Sequence, residues 1–534
     1  MSSSPDPPDP AESAPESGAS LGAIFIDQLR SVAADDAERA LLIELEADGN
    51  HSCAHTAGEL LNRIGKWAAR FEGANLEAGE QVALCPARDA DLAALHVAAL
   101  ARGLTIVPLN TALKPGELTT LLLDSRPALV ITEPEFAQRN VEAAEALSRP
   151  WWVTCEPEGG LKPPFVLAPR IEASPQGIAT VEVDPSENAL VLYTSGTTGK
   201  PKCVPLTHNN LKANLEVLGE LWQRSHADTL LHLLPAHHFH GLVLGLYGSL
   251  FVGGALLLMP RFDARAALDV LTSGRANVVM GVPTMYHRML DTGRAQDDLT
   301  SLRLAASGSA PLSSVVWERF RKRFGVELVE RYGLTETGIL TANPLDAPRA
   351  GSAGRVLEGT KLVIRDDDRY VRPVEGRMSP RGEICVAGPS VATGYGNDPD
   401  ATVEAFHDEL FHTGDLGYVD EDGYLWIVGR IKDLIIVGGS NVAPGEVEHA
   451  LSWVDGVAEL AVCGAPDADL GEIVIAHVVA ESGGADPTEI EARLRAVAGE
   501  ELAAYKHPRR YVFVDELPRN AMGKIDRARL KSAA

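Results

Sequence analysis

Short apolar runs alternate with longer, helix-like stretches through the first half of the chain. Apolar strands joined by helices form parallel sheets with both faces covered. The same alternation returns between residues 229 and 329. The pattern predicts an α/β fold with two parallel-sheet subdomains. In the first half of the chain, the apolar runs are 81–87, 104–110 and 128–132, and the helix-like stretches are 93–103 and 115–123.

The pattern changes twice in the second half. From about Val371, glycines separate short strands such as 382–388 and 423–429, which is typical of hairpins or a small barrel. After Arg430, a helix, two strands, a helix and a strand indicate a compact α+β unit of ordinary domain size. We therefore predict a large N-terminal domain over 23–431, which includes a small barrel-like part, and a C-terminal domain over 432–534.

Two further segments, residues 1–22 and residues 241–260, bear on targeting and on membrane insertion. Residues 1–22 are rich in Pro, Ser and acidic side chains and lack a basic targeting region, so we expect a disordered leader.

Residues 241–260 carry no charge and have the length of a membrane span. Gly253 and Gly254 interrupt them, however, and neither end has an aromatic and basic anchor. We predict a buried helix, turn and strand there, and no transmembrane segment.

The composition narrows the class of partner and the compartment. The 534 residues include 48 Lys and Arg against 74 Asp and Glu, a formal net charge of −26. Such a charge repels nucleic acid and anionic membranes but leaves small anionic substrates possible. The six cysteines are scattered without a CxxC pair, which favours the reducing cytoplasm over a disulfide framework or a zinc site. The sequence leaves the oligomeric state open.

The most specific local pattern is Tyr193-Thr-Ser-Gly-Thr-Thr-Gly-Lys-Pro-Lys202, directly after an apolar strand. Its glycines, hydroxyl groups and lysines provide backbone, hydroxyl and ammonium donors for phosphate oxygens. It does not satisfy the Walker A pattern. The pattern therefore predicts a nucleotide phosphate loop formed by Thr194, Ser195, Gly196, Thr197, Thr198, Gly199 and Lys200.

This loop resembles the phosphate loop of the adenylate-forming superfamily, which contains acyl-CoA synthetases, luciferases and the adenylation domains of peptide synthetases. Further segments resemble the family's motifs in the family's order, and the resemblance covers about residues 25–530. An ordered set is far more specific than any single motif. The segments are 307–311, 332–336, 382–402, 413–417, 429–433 and 518–524.

The resemblance implies an AMP-binding N-terminal domain, a mobile C-terminal domain that swings about Lys432, and the use of ATP, Mg²⁺ and coenzyme A. It implies that Thr335 and Lys524 contact the α-phosphate and the attacking carboxylate, and that Glu336 holds Mg²⁺. His238 would line the carboxyl pocket and shift between half-reactions. The remaining implied positions are Ser309, Ala310, Pro311, Tyr332 and Gly333 for adenine, Asp415 and Arg430 for ribose, and Gly438 and Gly439 for the thiol path.

Two clusters of basic and imidazole side chains allow more than one interpretation. Residues 505–534 carry eight Lys or Arg against three acidic residues, which fits either a polyanionic acceptor such as CoA or a solvated basic end. His232, His237, His238 and His240 suggest zinc, but their spacing is poor for it and no Cys or carboxylate is near in sequence. The family commonly has an aromatic residue at the position of His237.

Two arginines restrict the class of acid that the protein would activate. Arg288 follows the segment that walls the acyl pocket in the family, and Arg331 directly precedes Tyr332. A buried guanidinium is costly unless a carboxylate pairs with it, so a substrate with a second carboxylate would satisfy it. The segments 281–288 and 330–336 look like the malonyl-CoA synthetase branch of the superfamily. That resemblance implies that Arg288 and Arg331, helped by Ser307 and His238, bind the distal carboxylate.

We therefore expect an ATP-dependent acid–thiol ligase that activates malonate or methylmalonate through acyl-AMP and transfers it to CoA. One alternative is a CoA ligase for short-chain or fatty monocarboxylates, in which both arginines form surface ion pairs, for example with Glu330 or Asp291. Another is a stand-alone adenylation enzyme that loads a carrier protein. A third is a catalytically idle binding protein, which the lysines at 200 and 524 and Glu336 argue against.

Overall fold

A computed structural model describes residues 19–147, 150–154, 165–169, 177–178, 180–194, 201–294, 296–481, 485–519 and 525–532. Strands and helices alternate in the first half, and strands dominate between residues 355 and 430. The strands are β1 (Ala40–Leu45), β2 (His51–Thr56), β3 (Gln81–Cys85), β4 (Thr105–Pro108), β5 (Leu129–Thr132), β6 (Trp151–Val153), β7 (Phe165–Leu167), β8 (Asn188–Thr194), β9 (Lys202–Thr207), β10 (Thr229–His232), β11 (Ala255–Leu258), β12 (Val278–Gly281), β13 (Leu304–Ser307), β14 (Leu328–Leu334), β15 (Gly338–Ala342), β16 (Arg355–Val356), β17 (Lys361–Asp366), β18 (Arg369–Val371), β19 (Gly382–Ala387), β20 (Phe406–His407), β21 (Leu410–Val419), β22 (Leu425–Arg430), β23 (Ile435–Val437), β24 (Ser440–Val442), β25 (Val457–Asp467), β26 (Gly471–Ala480) and β27 (Arg510–Phe513).

The helices begin where the sequence supplies caps or an initial proline, which fits the free N–H groups of the first turn. Thr56 and Glu59 form a reciprocal capping box, for example, and six of the described helices carry proline in their first turn, at positions that include Pro115 and Pro283. The helices are α1 (Leu21–Asp35), α2 (Ala57–Gly73), α3 (Ala90–Ala101), α4 (Pro115–Ser125), α5 (Pro134–Arg139), α6 (Val141–Leu147), α7 (His208–Leu221), α8 (Gly248–Val252), α9 (Ala264–Thr272), α10 (Pro283–Thr292), α11 (Ser314–Phe324), α12 (Pro399–Ala405), α13 (Pro444–Leu451), α14 (Pro487–Glu501) and α15 (Arg527–Ser532).

Two largely parallel sheets form the first two subdomains, as the alternating pattern predicted. One sheet has the strand order β7-β6-β5-β3-β4-β8-β9, and only β8 and β9 pair antiparallel. The other has the order β16-β15-β14-β13-β12-β10-β11-β1-β2, with antiparallel strands at both edges. Helix α3 is buried along almost its whole surface because it packs against α1, α2 and strand β4.

The remaining strands form the two smaller parts of the fold. Strands β17 to β22 make an antiparallel sheet of six strands, which is the predicted barrel-like part. A short 3₁₀ turn, Ile431–Asp433, then leads to a five-stranded sheet covered by α13 and α14. The fold class is therefore confirmed: two parallel-sheet subdomains, a small antiparallel sheet and a small α+β domain.

The apolar segment 241–260 is buried in the second subdomain. It forms a π-helical segment over His240–Tyr247, then α8, and then strand β11, which pairs with β1 and β10 on either side. Gly253 ends α8 in the left-handed conformation with φ of 67°, which explains why glycine stands at this turn. Within the described residues, no helix is long and apolar enough to cross a membrane.

The expected leader is two residues too long. Helix α1 begins at Leu21, with Ser20 as its cap, and Leu21 and Gly22 are both buried. Gly22 sits so close to α3 that a Cβ there would lie 2.1 Å from the backbone nitrogen of Ala101. The polar composition of the preceding residues favoured a longer leader, but the close packing of α1 on α3 places residues 21 and 22 inside the fold. Residues 1–18 lie outside the described residues.

Candidate active site

The candidate site lies at the carboxyl ends of the parallel strands of the second sheet. Gly281 and Ser307, the last residues of β12 and β13, are register neighbours, and Ser307 also pairs with Glu330 of β14, where the parallel pairing ends. Side chains from consecutive strand ends converge at such an edge, which is where α/β proteins bind ligands. Strand β8, which leads into the predicted phosphate loop, and the antiparallel sheet supply the other residues of the site.

Only the base of the predicted phosphate loop is described. Thr194, the last residue of β8, pairs in register with Lys202, the first residue of β9. The described residues on either side of the predicted loop therefore form an antiparallel pair. The predicted loop residues Ser195, Gly196, Thr197, Thr198, Gly199 and Lys200 lie outside the described residues.

Three of the predicted nucleotide-binding residues form one hydrogen-bonded cluster. The Tyr332 hydroxyl donates to Asp415 Oδ2 at 2.8 Å, and Arg430 Nε donates to Asp415 Oδ1. Asp415 and Arg430 are register partners on β21 and β22, so the sheet itself brings them together. Desolvation and the Asp415 charge hold the pKa of Tyr332 well above its usual value. An oriented carboxylate beside an aromatic ring and a cation suits the hydroxyl groups and the base of a nucleoside.

The predicted metal residue is held by a tyrosine to which the sequence assigned no role. Glu336 is buried, and its Oε1 accepts a 3.0 Å hydrogen bond from the Tyr395 hydroxyl. Lys202 Nζ lies 4.3 Å from the centre of the same ring. A buried carboxylate with one oxygen fixed offers Mg²⁺ the hard oxygen ligand that it prefers, so the donor set fits the ion.

The turn that carries Thr335 and Glu336 is unusually tight. A Cβ at Gly333 would lie 1.9 Å from the carbonyl oxygen of Gly338, so only glycine fits at position 333. Thr337 Oγ1 accepts from the backbone nitrogen of Leu334 at 3.0 Å and closes the turn. Thr335 is half-buried beside this turn. The need for glycine at position 333 is therefore explained by the backbone geometry of this turn.

The predicted adenine turn follows β13. Ser309 adopts a left-handed conformation with φ of 69°, and its hydroxyl lies 3.3 Å from His240 Nδ1. Ala310 is half-buried and Pro311 is exposed. The Glu330 carboxylate anchors the end of the turn by accepting from the Leu312 nitrogen at 2.8 Å, and burial raises the pKa of Glu330 to about 8.

Arg331 and Ser307 form a buried polar corner. Arg331 is 7% exposed, and its guanidinium packs so closely over Gly308 that a Cβ there would lie 2.5 Å from Cζ. Arg331 Nε and Nη2 and Ser307 Oγ are buried without a hydrogen-bond partner within the part of the chain that the structure describes. Desolvation lowers the pKa of Arg331 to about 10.

Arg288 differs from Arg331 in its burial. It lies on α10 (Pro283–Thr292), which starts next to the end of β12, and its side chain is exposed. The sequence predicted that both guanidinium groups are buried. Arg331 is buried, and Arg288 is not. Neither carboxylate named as an alternative partner pairs with Arg288, since Asp291 lies 3.5 Å from His287 and Glu330 holds the Leu312 nitrogen.

The four histidines pack together with an arginine that the sequence did not point to. Arg88, from the turn before α3, donates to the His232 carbonyl at 2.6 Å and also contacts its ring, although the two residues are 144 positions apart. The rings of His237 and His238 lie 4.2 Å apart. Desolvation, with His238 and Arg88, lowers the pKa of His237 to about 3, so the His237 imidazole is uncharged at neutral pH.

In the C-terminal domain, Lys432 is exposed within the 3₁₀ turn. Gly438 and Gly439 form the exposed turn between β23 and β24, with φ of 56° and 81° that side chains rarely adopt. Glu446 on α13 joins this domain to the antiparallel sheet through Arg381 at 3.1 Å, and it also holds Lys506 at 2.7 Å. Lys524 lies outside the described residues.

Many of the basic residues near the C-terminus have partners inside their own domain. Arg527 forms a two-point pair with Glu448, and Arg519 lies 2.8 Å from Glu459. Such pairs favour the structural interpretation of this cluster over a free surface for a polyanion. Within the described residues, the basic side chains in ion pairs include Lys506, Arg519, Arg527, Arg529 and Lys531.

Comparison with known proteins agrees with this geometry. Residues 29–396 match the AMP-binding enzyme family, and residues 446–524 match the AMP-binding enzyme C-terminal domain. Sulfoacetate–CoA ligase of Cupriavidus necator is 37% identical over 92% of this chain and 94% of its own length. Mitochondrial malonate–CoA ligase of Bos taurus is 34% identical over 84% of this chain and 80% of its own. The crystal structure of ATP-bound MatB from Rhodopseudomonas palustris is 33% identical, with a TM-score of 0.81, and the match covers 96% of this chain and 99% of that one.

The chain therefore belongs to the AMP-binding enzyme family. Within this family it is an adenylate-forming CoA ligase, close to the malonyl-CoA synthetases. Enzymes of this class generally use ATP, Mg²⁺ and CoA.

Proposed function

We propose that this enzyme activates a small dicarboxylic acid, malonate or methylmalonate, through an acyl-AMP and transfers it to CoA, releasing AMP and pyrophosphate. The observation that carries this proposal is the buried corner of Arg331 and Ser307. Two guanidinium N–H groups and a hydroxyl lie there, buried, without a partner among the described residues.

The chemistry of that corner favours a substrate with two anionic groups. A buried cation without a counter-charge is costly, and a carboxylate that accepts two charge-assisted hydrogen bonds offsets the cost. An acetate or a fatty acid brings its single carboxylate to the reacting phosphate and leaves the guanidinium unpaired. A dicarboxylate uses one group for the reaction and the other for Arg331. We propose that Arg288 closes over the same distal group from α10, with His238 lining the opposite wall.

The names of the matched relatives support a substrate acid with a second anionic group, but they do not distinguish between the acids that have one. Sulfoacetate, oxalate and malonate, for which three of the matched ligases are named, each carry two anionic groups on two or three carbons. Other matched ligases are named for indoleacetate and for long-chain fatty acids. Sulfoacetate is our second candidate acid, because the relative named for it is matched along nearly its whole length.

The other site residues would perform the two half-reactions. Asp415, Arg430 and Tyr332 hold the ribose and base of ATP, with Ser309, Ala310, Pro311 and Gly333 framing the adenine. Thr335 and Lys524 contact the α-phosphate and the attacking carboxylate, which must be brought together although both are anions. Glu336 would hold Mg²⁺, which would supply positive charge against the negative charge of the phosphates.

In the second half-reaction the thiol of CoA attacks the acyl carbon, and AMP leaves. We propose that the C-terminal domain, residues 432–534, turns about Lys432 relative to the N-terminal domain, residues 23–431. This movement withdraws Lys524 and brings the exposed Gly438-Gly439 turn to the site, where the absence of side chains leaves a path for the thiol.

The test is pyrophosphate release with ATP, Mg²⁺ and CoA across acetate, butyrate, palmitate, oxalate, malonate, methylmalonate, succinate and sulfoacetate. We expect kcat/KM for malonate or its methyl derivative to exceed that for acetate and butyrate at least about 100-fold, the value of a well-made charged pair. If sulfoacetate were the preferred substrate, the proposed role of the corner formed by Arg331 and Ser307 would stand, and the proposed identity of the acid would change. Preferred turnover of a monocarboxylate would contradict the proposal.

A further inference from the structure

Tyr395 lies where two functional elements of the site meet. Its hydroxyl donates to Glu336 Oε1 at 3.0 Å, and its ring faces the ammonium group of Lys202 at 4.3 Å. Glu336 is the residue we assign to Mg²⁺, and Lys202 stands at the base of the phosphate loop opposite Thr194. One side chain thus contacts both elements that would meet the phosphates.

The glycines on either side of Tyr395 explain how its ring reaches this position. Gly396 lies so close to β9 that a Cβ there would be 2.8 Å from Cys203 Sγ, and its nitrogen donates to the Cys203 carbonyl at 2.9 Å. A Cβ at Gly394 would be 2.6 Å from the methyl carbon of Thr402. The Tyr395 nitrogen donates to Thr402 Oγ1 at 2.9 Å. The tyrosine backbone is therefore fixed from both sides.

The ring and the hydroxyl are equally constrained. The ring packs edge-on against Phe406 with centroids 5.7 Å apart, and only 9% of the residue is exposed. The Glu336 carbonyl accepts from the Ala392 nitrogen at 2.7 Å, which ties the same segment to the backbone of the metal residue.

We propose that Tyr395 is a positioning residue for Mg²⁺–ATP: its hydroxyl orients the Glu336 carboxylate for the metal, and its ring holds Lys202 beside the phosphate loop. The proposal rests on the proposed function, because it takes Glu336 as the metal residue. With Oε1 engaged by Tyr395, the rotation of the carboxylate is restricted, and Oε2 would be the oxygen that binds the metal. Groups that orient metal-binding carboxylates in this way commonly change metal affinity by about 10- to 100-fold when removed.

The test is binding of Mn²⁺ to the full-length protein in the presence of a non-hydrolysable ATP analogue, followed by electron paramagnetic resonance. We expect Tyr395→Phe to raise the Kd for Mn²⁺ about 10-fold and the Mg²⁺ concentration for half-maximal turnover in parallel. Phe keeps the ring under Lys202 and conserves its volume, so the melting temperature should stay close to that of wild type. A Kd within twofold of wild type would overturn the proposal.

The matched control is Tyr370→Phe. Tyr370, in strand β18 of the antiparallel sheet, also donates its hydroxyl to a carboxylate, Asp408 Oδ2 at 2.9 Å, and it does not contact Glu336. We expect this variant to leave the Kd for Mn²⁺ unchanged. An equal rise in both variants would mean that the sheet is perturbed in general, and it would overturn the assignment to Tyr395.

A double-mutant cycle with Glu336→Gln separates this proposal from the proposed function. If Tyr395 acts through Glu336, Tyr395→Phe has no further effect on the Kd for Mn²⁺ once the carboxylate is gone. If Glu336→Gln alone leaves that Kd unchanged, the metal assignment within the proposed function is wrong. If Glu336→Gln weakens binding and Tyr395→Phe does not, only the positioning role is wrong.

Discussion

Replacing Asp415 by alanine should lower kcat/KM for ATP by about 100- to 1000-fold. The substitution removes the acceptor proposed for the ribose hydroxyls and leaves two half-buried donors, Tyr332 Oη and Arg430 Nε, without their partner. Truncating one partner of a hydrogen-bonded charged pair that bound ATP would cover costs about 2 to 5 kcal/mol, and each 1.4 kcal/mol corresponds to a factor of ten. Steady-state kinetics at saturating acid and CoA measure the effect, and KM for the acid should change little.

Asp420→Ala is the matched control for this substitution. Asp420 follows the same strand β21 and accepts from a similar pair of donors, Trp426 Nε1 at 2.8 Å and Arg349 Nη1 at 2.9 Å. It has no part in the proposed nucleotide site. If the two variants lost ATP turnover equally, the loss would reflect the strand in general, and Asp415 would not be the ribose residue.

Replacing Arg331 by leucine should lower kcat/KM for the preferred dicarboxylate at least about 100-fold while leaving acetate turnover within threefold. Leucine fills much of the same volume and removes the buried guanidinium that has no acceptor on Nε and Nη2 among the described residues. The protein should therefore not lose stability, because an unpaired buried charge is itself unfavourable. Pyrophosphate release and the melting temperature measure both effects.

Arg288→Leu tests the exposed half of the same clamp. We expect a loss in the same direction for the dicarboxylate, because binding of the acid would desolvate this guanidinium, and no change in the KM for ATP. Arg294→Leu is the control, since Arg294 is exposed two residues beyond the end of the same helix. An unchanged dicarboxylate kcat/KM in Arg331→Leu would refute the clamp, and an unchanged value in Arg288→Leu alone would restrict it to Arg331.

The parts of the fold that depend on local pattern could be predicted from the sequence. Apolar strands and amphipathic helices are recorded in the spacing of nearby residues, so the two parallel sheets and the C-terminal α+β unit followed from it. The buried helix, turn and strand of 241–260 followed from two adjacent glycines. The start of α1 did not, because burial of Leu21 and Gly22 depends on contact with α3, about 80 residues away.

The site shows the same division. Motif resemblance pointed to Tyr332, Asp415 and Arg430, which the structure brings into one cluster. It assigned nothing to Tyr395, whose partner Glu336 is 59 positions away. Two close glycines around an aromatic residue, Gly394 and Gly396, are the signal that could have singled it out. Nothing local marks Arg88, because its contact with His232 is made between two subdomains.

Burial and pairing of charges were the least predictable features. The sequence treats Arg288 and Arg331 alike, yet one is exposed on α10 and the other is buried behind Gly308. Likewise, the excess of basic residues after 505 looks like a free cationic surface until their carboxylate partners appear on other strands and helices of the domain. Ion pairs between distant residues depend on tertiary structure, which composition does not encode.

Activation of the acid as an acyl-AMP can be tested by following the oxygen atoms of the acid. Malonate labelled with heavy oxygen in both carboxylates is turned over with ATP, Mg²⁺ and CoA, and the nucleotide product is analysed by mass spectrometry. Attack of a carboxylate oxygen on the α-phosphate, followed by cleavage of the acyl carbon–oxygen bond by the thiol, leaves one labelled oxygen in each AMP formed. Unlabelled AMP, or label in inorganic phosphate beside ADP, would contradict the account.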